Sequence, residues 1–173
     1  MDIMEALLTR RSVRSYRDDP VPEELLDKVL EAGTYAPTGM GAQSPIIVAI
    51  TDRATRDELS HLNAEIMGAD SDPFYGAPAV LVVLARKDRP THVYDGSLVM
   101  GNLMNAAHGL GLASCWIHRA KEEFERPEGR ALLERLGIDA DAYEGIGHCI
   151  LGYADGPEPA AKPRKEGYVY RIA

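Results

Sequence analysis

The chain has 173 residues, 45% of them apolar and 27% charged, with a formal net charge of −8. That length supports one domain with a hydrophobic core, and the composition excludes a collagenous, coiled-coil or disordered chain. The acidic balance argues for solubility and against broad binding to nucleic acid or an anionic membrane, both of which need a basic surface.

Asp2 and Glu5 form a capping-box pattern that predicts a first helix, with Ile3/Leu7 and Met4/Leu8 paired at i,i+4 spacing. A basic stretch, Arg10 to Tyr16, follows. Pro22 fits the first position of a second helix, whose stripe is Leu25, Leu26, Val29 and Leu30 and whose end falls near Ala36-Pro37. After a Gly-rich loop, Ile46–Ile50 reads as a buried strand. A polar amphipathic helix is predicted over Thr55–Met67, and a second buried strand over Pro78–Leu84. The segment 95–112 is helical and apolar on nearly all sides, as expected for a helix buried in a domain or between subunits. Ser114–Ile117 and His148–Tyr153 read as strands, with helical segments around Lys121–Glu125 and Gly129–Leu136 between them. The tail from Asp155 cannot pack a core alone, so it is an arm on a partner subunit or a loose end. No internal repeat or boundary divides residues 1–173, which read as a single domain.

No stretch has the length of a membrane helix, and the N-terminus lacks a basic segment followed by a long apolar run. The expectation is a cytoplasmic protein in which Cys115 and Cys149 are reduced, buried thiols. A redox-active pair stays open if the fold joins them.

Arg10, Arg11 and Arg14 concentrate positive charge beside Ser12, and Lys162, Arg164 and Lys165 form a second cluster near the other end. Arginine forks and a hydroxyl suit a phosphate, so the two clusters could clamp one if the fold brings them together. The alternative is that Arg10 and Arg11 complement the C-terminal end of the first helix, which spacing alone favours. Gly39-Met40-Gly41 and Gly109-Leu110-Gly111 begin but do not complete a dinucleotide-binding glycine pattern, and no Walker A sequence is present. The five histidines show no metal-ligand spacing, so no metal site is expected. No acid–base–nucleophile set stands out. That pattern fits an enzyme whose chemistry belongs to a bound cofactor, and fits a binding protein equally well.

Four segments together resemble the nitroreductase family over almost the whole chain. They are Arg10-Arg11-Ser12-Val13-Arg14-Ser15-Tyr16; Ala36-Pro37-Thr38-Gly39-Met40-Gly41-Ala42-Gln43-Ser44-Pro45; Asn102 to Leu112 leading into Cys115-Trp116-Ile117; and Leu151-Gly152-Tyr153 followed by Lys162-Pro163-Arg164. The resemblance implies an α+β fold with a central, mostly antiparallel sheet wrapped by helices and a domain-swapped C-terminal arm at 165–173. It implies a homodimer with FMN at the interface, NADH or NADPH as transient electron donor, and a small organic acceptor such as a nitroaromatic or quinone.

Carried over by position, Arg10, Ser12 and Arg14 would hold the FMN phosphate, ribityl chain and pyrimidine edge, with Arg11 contributing through its backbone. Lys162 and Arg164 would close on the phosphate. Pro37, Thr38, Gly39, Met40 and Gln43 would reach the flavin from the other subunit, and Trp116, Ile117 and His118 would pass near flavin N5. Gly41 stands where the family usually has asparagine, Ser44-Pro45-Ile46 replaces a Pro-Trp pair, and His118 stands where glycine is common. His118 is thereby a candidate proton donor, although solvent would suffice. Two competing readings are a flavin-holding or sensing module with little turnover, and a thiol–disulfide protein using Cys115 and Cys149.

Overall fold

Four strands form one antiparallel sheet in the order β1-β2-β4-β3, where β1 is Pro45–Ile50, β2 Ala79–Arg86, β3 Ala113–Ile117 and β4 Tyr143–Gly152. Six helices surround it: α1 (Ile3–Thr9), α2 (Glu23–Thr34), α3 (Arg53–Met67), α4 (His92–Gly109), α5 (Ala120–Glu125) and α6 (Pro127–Arg135). This computed structural model describes all residues 1–173, and the architecture is the α+β, antiparallel one expected.

The two-residue side-chain period of β2 explains the layering. Val80, Val82 and Leu84 face one side, where Leu59 of α3, Phe124 of α5 and Leu132 and Leu133 of α6 cover them. Leu81, Val83 and Ala85 face the other, against Leu26 and Val29 of α2 and Val99, Met100 and Leu103 of α4. With a core on each face, β2 is a continuous apolar run rather than an alternating one.

Several boundaries differ from the sequence reading. Pro22 is the N-cap of α2 rather than its first residue, and α2 stops at Thr34. The long apolar helix begins three residues earlier, at His92, and ends at Gly109, since Gly111 has φ 81 and turns the chain into β3. β4 starts at Tyr143, five residues before the predicted His148. A bulge between Val83 and Leu84 leaves Ile146 as the extra residue between Gly145 and Gly147, which broke the apparent pattern.

Gly145 is required where α5 crosses β4. A methyl group there would run into the Ala120 carbonyl, which is backbone and has no rotamer to yield. Gly145→Ala is expected to cost about 1–3 kcal/mol, read as a lowered thermal midpoint with the far-UV spectrum retained.

The strand register also settles the thiol question. Cys115 lies opposite Ile150 and Cys149 opposite Trp116, so the two sulfurs point to opposite faces of the sheet, one in each core. Both are free and buried, and burial pushes the Cys149 thiol up to about 12. A thiol–disulfide mechanism using this pair is excluded.

Candidate functional site

The basic segment leaves α1 at Arg10 and runs beside the start of β3, where Ser12 bridges Ser114 and the Val13 amide donates to the Ser114 carbonyl. Tyr16 bridges Ala154, which brings the chain after β4 to the same edge. The tail then passes the end of α4. His108 Nε2 lies 2.8 Å from Thr9 Oγ1, and its Nδ1 lies 3.6 Å from Glu158. These ties bring together two cationic clusters that lie about 150 residues apart in sequence.

The result is a cleft of ≈ 690 Å³ lined by Arg10, Arg11, Ser12, Arg14, Lys162 and Arg164. Arg11 splits from its neighbours. Its Nη1 donates to the Leu8 and Arg10 carbonyls, so its side chain caps the end of α1. Arg10 does the opposite: its Nη1 is buried without a partner. Buried donors are rarely left unmatched, and this one belongs to a residue on the cleft wall.

Arg14 also borders an adjoining pocket of ≈ 170 Å³ at the end of β3, with Trp116, Ile117, His118, Arg119 and Tyr75. The His118 carbonyl is fixed by Asn63 of α3, whose Nδ2 donates to it at 2.9 Å. Asp72, on the same rim, is raised by burial, but hydrogen bonds from Ser60, Arg56 and the Gly76 and Phe74 amides outweigh this. They hold its carboxyl below the usual range.

The third group lies elsewhere. Gly39–Gly41 form a 3₁₀ turn, with Met40 at φ 56 and Gln43 at φ 48. Gln43 N donates to Thr38 Oγ1, and Gly39 N donates to Asp95 Oδ1 at the start of α4. Thr38 and Gln43 line a ≈ 440 Å³ groove with Gly33, Pro45 and Val99. Pro37–Gln43 thus sits at the N-terminal end of α4, whereas the cationic cleft sits at its C-terminal end. The helix has 18 residues, so about 27 Å separates its ends. Within one chain, the loop and the cleft do not meet. Asn63, Arg119, Asp95 and the His108–Glu158 tie were not legible as site residues, because each acts through a tertiary contact that no local motif marks.

The fold and the paired clusters define a class: an α+β protein with a cationic cleft beside a second, smaller pocket. The chain belongs to the Nitroreductase family, whose model matches residues 7–153. A Bacteroides fragilis nitroreductase with bound FMN matches with a TM-score of 0.90 at 28% identity, covering 100% of both chains. A Methanothermobacter thermautotrophicus protein named for NADH dehydrogenase and NAD(P)H nitroreductase activities is 31% identical over 125 residues, which is 67% of this chain and 60% of that protein. A Vibrio harveyi NADPH-flavin oxidoreductase is 24% identical over 96% of this chain and 71% of its own length. The chain therefore spans less than two thirds of the Methanothermobacter protein's length. No helix is long and apolar enough to cross a membrane.

Proposed function

We propose that the chain is an FMN-dependent NAD(P)H oxidoreductase that works as a homodimer on small organic acceptors such as nitroaromatics or quinones. The observation that carries this reading is the convergence of Arg10, Ser12 and Arg14 with Lys162 and Arg164 on one cleft. The cleft fits the FMN phosphate, since the unmatched Arg10 Nη1 has the donor a phosphate oxygen needs. When bound, FMN would supply the hydride-transfer chemistry that links reduced nicotinamide to the acceptor.

The residues have separate tasks. Arg10, Ser12, Lys162 and Arg164 hold the phosphate. Arg14, which borders both the cleft and the adjoining pocket, turns its charge toward the pyrimidine edge and favours the electron-rich form of the flavin. The β3 end, Trp116–His118, presents backbone toward N5, and the Asn63 bond keeps that backbone from shifting.

What one chain leaves uncovered supports the homodimer reading. Ile3, Met4, Leu7 and Leu8 of α1 and Val93, Tyr94 and Leu98 of α4 are large apolar side chains in water. Pairing α4 antiparallel with its copy covers them, and it carries the Pro37, Thr38, Gly39, Met40 and Gln43 loop of one subunit to the cationic cleft of the other. The exposed tail residues Tyr168, Val169, Tyr170 and Ile172 gain cover as an arm on that second copy.

The test is direct. The purified protein is expected to be a yellow dimer by light scattering, with bands near about 370 and 450 nm that bleach on anaerobic addition of NADH or NADPH. Bleaching by dithionite alone would make it a flavin-holding module. A colourless protein that takes up no FMN would overturn the reading.

A further inference from the structure

We infer that Arg119, aimed by Asn63, is a binding residue for an anionic group on the electron acceptor, so that the β3-end pocket favours aromatic carboxylates over neutral aromatics. This rests on the oxidoreductase reading above.

Arg119 is unusual in its backbone. It has φ 77, a left-handed conformation that costs a non-glycine residue on the order of 1 kcal/mol. Only four non-glycine residues adopt positive φ: Met40, Gln43, Tyr75 and Arg119. The first two belong to the 37–43 loop, and the other two border one pocket. Strain that survives in a fold is held by its surroundings, and here Asn63 holds it. Asn63 is wholly buried; its Oδ1 accepts from Arg119 Nε at 2.9 Å while its Nδ2 holds the His118 carbonyl. One amide therefore fixes both the direction of the guanidinium and the backbone next to it.

The far side of that guanidinium is unspent. Nη1 and Nη2 make no hydrogen bond, and no carboxylate lies within ion-pair distance, although Arg17, Arg53, Arg86, Arg126 and Arg130 each have an acidic partner. Asp72 is the one carboxylate on the pocket's rim, and Arg56, Ser60 and two backbone amides occupy it. Two parallel N–H donors on a fixed fork match the two oxygens of a carboxylate. Tyr75, an exposed aromatic on the pocket rim, supplies a flat apolar surface for a ring. The pocket thus presents both halves of an aromatic acid.

The experiment compares para-nitrobenzoate with para-nitrobenzyl alcohol, which keeps the ring and nitro group but carries no charge, using the FMN-loaded protein. The acid is expected to have the higher kcat/KM by about tenfold at low salt. Arg119→Gln should remove that preference through the KM of the acid, with the alcohol within about twofold of its starting value. Arg119→Lys, which keeps the charge and loses the fork, should fall between, and Asn63→Ala should reproduce part of the loss. Calorimetric titration of benzoate reads the same site without turnover: binding by the parent protein and about tenfold weaker binding by Arg119→Gln are expected. Equal kcat/KM for acid and alcohol in the parent protein, or equal benzoate binding by Arg119→Gln, would overturn the proposal. Failure of the oxidoreductase reading looks different, as absence of the flavin chromophore before any acceptor is added.

Discussion

Arg10→Ala is expected to weaken FMN binding by about tenfold to a hundredfold, because a hydrogen bond to a charged group contributes about 1.5–3 kcal/mol. The effect lies at the upper end because Arg10 lines the cleft with Nη1 already desolvated and unmatched. Its desolvation has been met in folding, and the phosphate gains the full contact. Arg164→Ala acts on the opposite wall of the same cleft, but Arg164 is exposed and partly held by the Lys162 carbonyl, so its loss is smaller. The two share one phosphate, and the double variant should lose less than the product of the single losses. Two controls separate binding from general charge loss. Arg11→Ala removes the cap on the Leu8 and Arg10 carbonyls, so it lowers stability more than affinity. Lys28→Ala breaks an exposed pair with Glu24 and should change neither. Fluorescence titration of the apoprotein with FMN at low and high salt reads the affinity of all five variants. An unchanged affinity for Arg10→Ala would remove the phosphate clamp from the function.

The contrast between Arg10 and Arg11 shows where sequence reading stops. Adjacent arginines look alike along a chain, and both offered themselves for the helix end or for an anion. The structure answers differently for each: the Arg11 guanidinium turns back on the last carbonyls of α1, whereas Arg10 lines the cleft with its Nη1 buried and unmatched. The sheet was legible for a simpler reason. The Pro78–Leu84 run is apolar at every position, and such a run has to lie between two covering layers. The amphipathic period of 55–67 likewise marked α3. β4 was half hidden, because its N-terminal end carries two glycines and a bulge that interrupt the two-residue period. The cysteines illustrate register: their sheet faces depend on which residue of β3 lies opposite which of β4, and that is absent from either strand read alone. The resemblance supplied the 10–14 and 162–164 pairing before the fold did. Asn63 and Arg119 had no such help, since an asparagine on a helix 55 and 56 residues from its two partners leaves no periodic trace.

The largest stability effect is expected beneath the β3-end pocket. Glu123 of α5 and His148 of β4 are both fully buried and meet at 2.5 Å, Oε2 to Nε2, and neither side chain has a further hydrogen-bond partner. Phe74 and Phe124 enclose the imidazole, with ring centroids 5.2 and 6.4 Å away. Whichever side holds the proton, removing one partner strands the other in an apolar surround. Glu123→Ala or His148→Ala should therefore cost about 3–5 kcal/mol, read from urea denaturation. Replacing both with apolar residues of similar volume, Glu123→Met with His148→Leu, should recover most of that loss, because no polar group is then left unmatched. The position ties the pair to function. His148 lies opposite Ile117, the last residue of β3, and Phe74 precedes Tyr75 on the pocket rim. A single loss should loosen that wall and speed FMN release, whereas the apolar double variant should restore retention along with stability. Recovery of stability without retention would show that the pair orients the wall through its polar contact and not by packing alone.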